Sequence, residues 1–233
     1  MTSTTPPRTR RDLRDVQAAV PYITAWSREV ELAPKLLVLP GDGFTFEGAV
    51  RGDRDAGGAL YRRQAIISSG DRGVPDLGKV HSRRQRRCMT RLLCQVCAGP
   101  PSVTSEGVLF LDQNRRSDWK GWPETLGTVH PPLCLPCAEV SVQRCPHLRR
   151  SSTAIRVRDP QPWGVFGMQY TLDPDNSLQP DKPVELEYGD PRLGWTIASQ
   201  MIMRLIGCTI VDLEAELDRH RALPAGADGE GSR

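Results

Sequence analysis

Short apolar runs and polar turns alternate in the N-terminal third of the chain. Apolar residues recur at helical spacing up to Ile23, which predicts a helix that begins at Asp12 and is broken or restarted by Pro21. The run LLVLPGDGFTFEGAV at 36–50 predicts two strands joined by a Gly-rich turn, and 59–67 predicts a third strand. This part of the chain is therefore expected to combine a helix with short strands.

Three further runs in the middle of the chain have the composition of strands. They are VLFLDQN at 108–114, STAIRVRD at 152–159 and PWGVFGMQYTLD at 162–173. A loop rich in Trp and Gly follows the first of them at 117–132. The middle of the chain therefore predicts sheet structure interrupted by a long loop.

The C-terminal segment has the sequence signals of two helices. Asp190 can cap a helix with proline at its first position, and Gly207 suits the C-terminal cap. Polar residues form one narrow stripe on that helix, so most of its surface is expected to be buried. Thr209 and Asp212 form a capping-box pattern for a second helix that ends near residue 220. Phosphates would repel the four carboxylates of this second helix, so a core or homodimer contact is expected of the segment and DNA binding is not.

The composition indicates a modest core and an uneven distribution of charge. Hydrophobic residues make up 38% of the 233 residues, and Gly and Pro number 21 and 20, which indicates a large share of loop. The net charge is +3, but residues 172–233 hold 12 acids and 6 bases, whereas residues 1–171 hold 16 acids and 25 bases. The first three quarters of the chain therefore attract anions and the last quarter does not.

The sequence predicts neither export nor membrane insertion. The first residues, MTSTTPPRTRRDLRD, contain no apolar run of the kind that a secretory signal needs. The most apolar stretch, Trp195–Ile206, is interrupted by Arg204 and is too short to span a bilayer. We therefore expect a cytoplasmic protein without membrane contact. In a reducing compartment, paired cysteines indicate a metal site before they indicate a disulfide.

Two Cys-x-x-Cys pairs are the strongest chemical signal in the sequence. Cys94 and Cys97 form the first pair, and Cys134 and Cys137 form the second. A two-residue gap lets both sulfurs of a tight turn reach one ion, and two such turns complete the tetrahedron of thiolates that suits zinc. A closed site of this kind leaves no position for water, so the zinc is expected to be structural. An iron–sulfur cluster and four unligated cysteines are the alternatives.

The order of elements around these cysteines resembles a treble-clef zinc finger over residues 93–147. A Cys-x-x-Cys turn is followed by a strand, a loop and a second Cys-x-x-Cys that opens a helix. HNH nucleases have a similar frame, with a general-base histidine on the strand. Here the strand has Asp112 and Asn114 but no histidine, and His130 lies near the position where that family has an asparagine. The resemblance therefore implies a zinc fold and does not imply nuclease activity.

A second resemblance concerns the segments around the cysteines as a group. The segments HSRRQRR, LLCQVC, HPPLCLPCA and CPHLRR are similar to those of uncharacterised cysteine-pair proteins from GC-rich actinomycete genomes. This resemblance implies no particular activity.

Cys88, Cys145 and His147 form a candidate second metal site. The run Cys145-Pro146-His147 offers two ligands to such an ion, and Cys88 offers a third. The alternative is that both cysteines are small buried hydrophobic residues and that His147 contacts the backbone.

Two basic segments without acids flank the cysteine pairs and are candidate nucleic-acid contacts. Their candidate arginines are Arg83, Arg84, Arg86 and Arg87 in 79–91, and Arg149 and Arg150 in 144–158. A zinc module beside them would hold the guanidinium groups in a fixed array against phosphates. Trp119, Trp122 and Trp163 are candidates for stacking on bases. The alternative is a solvated helix face, or ion pairs with the acidic C-terminal region.

These patterns together predict an α+β protein with a treble-clef-like four-cysteine zinc module and two C-terminal helices. The predicted organisation is a disordered segment at 1–10, an N-terminal α+β segment at 11–78, the zinc module with basic flanks at 79–150, C-terminal strands and helices at 151–221 and a disordered tail at 222–233. The favoured function is that of an interaction module that binds nucleic acid or a protein partner. The alternatives are an enzyme braced by zinc, and a scaffold subunit that forms a homodimer through its C-terminal helices, with Trp195–Ile206 as the seam.

Overall fold

A long, mainly antiparallel sheet organises the residues that the computed structural model describes, which are 20–41, 43–68 and 70–222. The strands are β1 (Thr24–Trp26), β2 (Glu31–Leu32), β3 (Leu36–Leu39), β4 (Gly43–Phe46), β5 (Leu60–Tyr61), β6 (Arg63–Gln64), β7 (Pro75–Val80), β8 (Val103–Thr104), β9 (Gly107–Gln113), β10 (Gly127–Thr128), β11 (Ser152–Leu172), β12 (Leu178–Glu187) and β13 (Thr196–Val211). The helices are α1 (Ser82–Thr90), α2 (Leu135–Arg144), α3 (Pro146–Arg150) and α4 (Leu213–Ala222), with a 3-10 helix at Pro191–Trp195. None of these helices has the length and apolar character needed to cross a lipid bilayer.

Strand β11 is the centre of the sheet because it pairs along most of its 21 residues. It pairs with β13 on one edge, and with β9 and then β12 on the other. The ladder with β9 stops at Val157 and the ladder with β12 begins at Gly164. Pro160 and Pro162, which have no N–H to donate, fall in the interval between these two ladders. Strands β10 and β5 lie beside β13 and widen the sheet.

Side chains that alternate along β9 and β11 fill two separate cores. One core includes Phe110 of β9 and Met89 of α1. The other includes the neighbouring Leu109 of β9, Cys94 and Leu217 of α4. Because successive side chains of a strand point to opposite faces, the sheet separates α1 on one face from the cysteines, α2 and α4 on the other.

The predicted helix from Asp190 to Gly207 is wrong. Asp190 caps a 3-10 helix, in which it accepts the N–H of Arg192 at 2.9 Å, and the chain then continues as β13. Strand β13 lies between β11 on one edge and β10 and β5 on the other, and many of its residues are buried. A strand with few exposed positions has an almost continuous apolar sequence, and this pattern matches that of a buried helix.

One α-helix, α4, therefore follows residue 190 in the described chain, where two were predicted. Asp212 caps α4 by accepting the N–H groups of Glu214 at 3.0 Å and Ala215 at 3.3 Å. Thr209, the predicted capping residue, lies on β13. The segment predicted as a dimer seam, Trp195–Ile206, belongs to the end of the 3-10 helix and to the sheet, so it offers no helical face to a second copy.

Several predicted strands are confirmed. Strands β3 and β4 pair antiparallel within 36–50, and β9 covers 108–114 apart from its last residue. The runs 152–159 and 162–173, apart from the last residue of the second run, belong to the single strand β11. The helix predicted from Asp12 falls largely outside the described residues, and its last residues form a bend and a turn. The disorder predicted for the two ends concerns residues outside the described ranges, except for residue 222, which ends α4. The predicted domain boundaries stay predictions.

A buried ion pair fastens α4 to the sheet. Arg156 of β11 is 0% exposed, and its guanidinium donates to both carboxylate oxygens of Glu216, with Nε at 3.1 Å from Oε1. The same guanidinium donates to the carbonyl of Ser102 at 2.9 Å and to its hydroxyl at 3.0 Å. Each charge of this pair depends on the other, because a buried charge without a partner is strongly destabilising.

We expect Glu216→Ala to lower the free energy of unfolding by about 3–5 kcal/mol, since it leaves the Arg156 guanidinium buried and unpaired. Glu214→Ala on the exposed side of the same helix is the control and should change it by less than about 0.5 kcal/mol. Urea denaturation of the two variants measures the difference. The double change Arg156→Met with Glu216→Leu should recover much of the loss, and equal stability of the two single variants would refute the role of the pair.

Candidate metal centre and arginine face

Cys94 and Cys97 lie in a tight turn directly after α1. The N–H of Ala98 donates to the carbonyl of Cys94 at 2.8 Å, and the N–H of Cys94 donates to the carbonyl of Gly99 at 2.8 Å. Ala98 has a φ of 58°, in the left-handed region that closes such a turn. The N–H of Gly99 donates to Sγ of Cys97 at 3.4 Å. An N–H donor of this kind favours the thiolate over the thiol.

Cys134 and Cys137 lie at the beginning of α2. Cys134 is the residue before the helix, and Cys137 lies in its first turn. Pro136 between them is tolerated because the first turn of a helix needs no N–H donors to preceding carbonyls. The N-terminus of a helix carries a partial positive charge, which favours thiolates at both positions.

The four sulfurs converge on one point. All four lie within 4.8 Å of one another, with Sγ of Cys134 at 3.8 Å from that of Cys94 and 3.9 Å from that of Cys97. Four sulfurs bonded at about 2.3 Å to a tetrahedral ion would be about 3.8 Å apart. The two Cys-x-x-Cys pairs therefore form a cluster that fits a tetrahedral metal ion without rearrangement.

The protonation of these thiols shows why the cluster suits a cation. Hydrogen bonds from Cys134 and Cys137 lower the pKa of Cys94 to about 2. Hydrogen bonds to Cys134 and Cys94 raise the pKa of Cys137. One thiolate thus opposes the ionisation of its neighbours, and a cation bound between them would let all four ionise.

The cluster also connects segments that are distant in the sequence. The N–H groups of Tyr22 and Ile23 donate to the carbonyls of Val96 and Gln95 at 2.9 and 3.3 Å, and the N–H of Gln95 donates to the carbonyl of Pro132 at 3.0 Å. The first Cys-x-x-Cys turn is thereby tied to the start of the described chain and to the loop before α2. Metal binding would fix all three at once.

The candidate second site does not assemble. The cluster at residues 94–137 is the one group of three or more metal-binding side chains that converge in the described chain. Cys88 is fully buried in α1, its Sγ contacts the carbonyl of Cys94 at 3.9 Å, and burial raises its pKa to about 12. Cys145 precedes α3, and His147 is exposed on α3. Cys88 thus fits the alternative of a small buried hydrophobic residue.

The residues at the positions of the HNH frame have structural contacts. Asp112 of β9 is buried, and its carboxylate accepts the hydroxyl of Thr128 at 3.0 Å and a guanidinium N–H of Arg115 at 3.3 Å. The N–H of His130 donates to the same Thr128 hydroxyl at 3.1 Å, while the histidine is exposed. These contacts hold the loop after β10 against the sheet.

Helix α1 contains four arginines that were predicted to contact nucleic acid. Three of them lie on the accessible side of the helix. Arg83 and Arg87 are exposed and Arg86 is half-buried. Arg86 stacks on the ring of Tyr61, 4.4 Å from its centroid, and donates to the carbonyl of Gly52 at 2.7 Å. Arg87 donates to the hydroxyl of Tyr22 at 3.0 Å. We call the surface formed by Arg83, Arg86 and Arg87 the arginine face.

Arg84 does not belong to this face, contrary to its prediction as a phosphate contact. It is buried, and its guanidinium donates to both carboxylate oxygens of Glu29, at 2.7 and 2.5 Å, and to the carbonyl of Thr24 at 2.6 Å. Burial raises the pKa of Glu29, but the hydrogen bonds and charge of Arg84 outweigh burial and lower it. The charge of Arg84 is thus neutralised within the fold.

Two pockets lie against the arginine face. The Ser82 pocket, of about 440 Å³, is lined by Ser82, Arg83 and Arg86 of α1 and by Arg51, Arg62, Arg63 and Asp53. The side groove, of about 780 Å³, is lined by Arg83, Arg86, Arg87 and Arg91 and by Arg72 and Asp55. Arg51, Arg62 and Arg72 are separated from α1 in the sequence, so no local pattern could have revealed that they contribute to the same surface.

The remaining candidate contacts are more scattered. Arg149 and Arg150 are exposed on α3, which packs beside α2. Trp119 is exposed, but Trp122 is 6% exposed within the core and cannot stack on a base. The ring of Trp163 is covered by the guanidinium of Arg204 at 4.9 Å. The candidate contacts concentrate on α1 and its pockets.

Comparison of the chain with protein-family models, with curated proteins and with solved structures gives no match. Its function is therefore inferred from the chemistry of its own residues.

We expect Cys94→Ser and Cys137→Ser to abolish the binding of one zinc ion per chain and to lower the melting temperature, because binding of a structural metal contributes free energy to folding. Cys145→Ser, outside the cluster, is the control and should retain the ion. Elemental analysis together with thermal melting measures both effects. Well-folded wild-type protein without zinc, or loss of the ion in the control alone, would contradict the assignment.

Proposed function

We propose that the chain is a zinc-binding interaction protein that binds nucleic acid through the arginine face of α1. The observation that carries this proposal is that Arg83, Arg86 and Arg87 lie on the accessible side of a helix fixed to the core, with an arginine-lined pocket on either side. The metal has a structural role, because four thiolates leave no coordination position for water.

The choice of zinc rests on the ligands and their spacing. Four thiolates at tetrahedral distances suit zinc, which has no competing geometric preference. The module is treble-clef-like in the order of its parts: a Cys-x-x-Cys turn, the β8–β9 hairpin and a second Cys-x-x-Cys at the start of α2. This order supports the proposed zinc module and says little about its partner.

Helix α1 is fixed in position by its buried side. The amide of Gln85 donates to the carbonyls of Val129 and Met201, both at 2.8 Å, and accepts the N–H of Met201 at 3.0 Å. Met89 is buried in the core, and Arg84 is paired with Glu29. The guanidinium groups on the opposite side are therefore held on a rigid support, which lowers the entropy lost when they bind a ligand.

The charge of the arginine face is largely uncompensated by nearby acids. In the Ser82 pocket, the carboxylate of Asp53 pairs with Arg63 at 2.9 and 2.6 Å. In the side groove, the carboxylate of Asp55 accepts the hydroxyl of Tyr188 at 2.6 Å. Arg63 neutralises Asp53, whereas Asp55 keeps its charge because the tyrosine hydroxyl is neutral. Among the described residues neither Arg83 nor Arg87 forms an ion pair with a carboxylate, so both can attract an anion.

The spacing of the arginines favours a polyanion. A rise of about 1.5 Å per residue separates Arg83 from Arg87 by about 6 Å along the helix axis. One strand of a duplex carries a phosphate about every 3.4 Å of its axis, so these arginines can reach neighbouring phosphates. Contacts to phosphates alone would bind nucleic acid with little dependence on its sequence.

We expect Arg87→Ala to reduce the slope of log affinity against log salt by about one unit, because one phosphate contact fewer releases fewer counterions. Fluorescence anisotropy of a labelled duplex and a labelled single strand, titrated at several salt concentrations, measures the slope. The double change Arg149→Ala with Arg150→Ala shows whether α3 also contributes.

Lys182→Ala on the exposed part of β12 is the matched control, since it also removes one positive charge. Its slope should equal that of the wild type. Absence of binding at low salt, or equal effects of Arg87→Ala and Lys182→Ala, would remove the arginine face from the function.

We expect no nicking of plasmid DNA that depends on a divalent metal, because β9 bears Asp112, is followed by Asn114 and has no histidine to activate water. Agarose-gel analysis of supercoiled plasmid incubated with Mg²⁺, Mn²⁺ or added Zn²⁺ checks this. Cleavage that disappears in His130→Ala would instead favour a nuclease.

A further inference from the structure

We propose that the Ser82 pocket binds the terminal phosphate monoester of a nucleic-acid strand. This inference rests on the proposed function and adds a defined chemical group to it. The pocket lies between the N-terminus of α1 and the segment of β5 and β6, and its volume of about 440 Å³ can hold a phosphate group with part of the attached nucleotide.

The N-terminus of α1 has the properties of an anion-binding helix end. His81, the capping residue, makes no side-chain hydrogen bond to the helix, and the first turn contains no acid. The N–H of Ser82 already donates to the amide oxygen of Gln64 at 3.2 Å, so the following N–H groups of the first turn are the ones that remain for an anion. The first N–H groups of a helix have no helical acceptor and carry partial positive charge, which favours a phosphate at this end.

Buried donors around the pocket lack acceptors. Ser82 is 1% exposed, and its hydroxyl has no hydrogen-bond partner among the described residues. The same is true of Nε of Arg62 and one terminal nitrogen of Arg86. Burying a donor without an acceptor is costly, so three such donors on residues that line one pocket are consistent with a ligand that supplies acceptors.

The charge around the pocket indicates which phosphate it favours. A phosphate monoester has three terminal oxygens and carries a charge between −1.5 and −2 at pH 7, whereas the diester within a strand has two free oxygens and one negative charge. The positive charges of Arg51 and Arg83, which line the pocket, therefore favour the monoester. Asp53 lines the same pocket, but its carboxylate is held by Arg63 and by the N–H of Val50 at 2.7 Å.

The test compares single strands of one sequence that end in a 5′-phosphate, a 3′-phosphate or hydroxyl groups alone, titrated at constant ionic strength by anisotropy. At least one phosphorylated strand should bind roughly tenfold more tightly than the hydroxyl strand, the factor expected for one net charge-assisted hydrogen bond. In Ser82→Ala and in Arg51→Ala this ratio should fall towards one. Arg51 is exposed, so its variant is expected to fold. In Lys182→Ala the ratio should persist.

Inorganic phosphate tests binding to the pocket in the absence of a nucleic-acid strand. It should raise the melting temperature of the wild type more than sodium chloride of equal ionic strength does. The increase caused by phosphate should be smaller in Ser82→Ala and in Arg51→Ala. Equal affinity for all three strands would overturn this inference and leave the proposed nucleic-acid binding intact. Lack of binding by every strand would overturn both. A preference that survives in both pocket variants would place the phosphate elsewhere and also overturn it.

Discussion

Four cysteine sulfurs lie within 4.8 Å of one another, and this convergence is the constraint that connects the rest of the structure. A metal ion bound between them would join two turns that are separated by 36 residues in the sequence. The first turn ends α1 and holds the backbone of Tyr22 and Ile23, and the second opens α2. A metal bound here would therefore add to the buried contacts of Gln85, Met89 and Arg84 that hold α1 and the arginine face in position.

The sheet lies between two hydrophobic cores, one on each of its faces. One face packs against α1 through Met89, and the other packs against the cysteines, α2 and α4. Two buried ion pairs, Arg84 with Glu29 and Arg156 with Glu216, fasten outer segments to these cores. Such pairs cost desolvation energy but fix the relative positions of the elements they join, and loss of either partner is strongly destabilising.

Features that depend on local spacing could be predicted from the sequence. The Cys-x-x-Cys pairs, the strands β3 and β4, and the position of Asp112 on a strand belong to this group. The C-terminal strand β13 could not be told from a buried helix, because both have an apolar pattern and the caps at Asp190 and Gly207 fit a helix equally well.

Features that depend on tertiary contacts could not be predicted from the sequence pattern. Arg84 has the same local sequence environment as Arg83, yet its pairing with Glu29 buries it. Arg51 and Arg62 join Ser82 around one pocket only because the fold brings 50–64 against α1. A basic run therefore indicates an attraction for anions, while the fold decides which of its charges remain accessible.

The measurement that tests the central claim most directly is X-ray absorption at the zinc edge of the purified protein. We expect one zinc ion per chain with four sulfur neighbours at about 2.3 Å and with no nitrogen or oxygen bonded to it. A bonded imidazole nitrogen or water oxygen, or folded protein that contains no zinc, would contradict an account in which these four cysteines and their ion hold the arginine face in place.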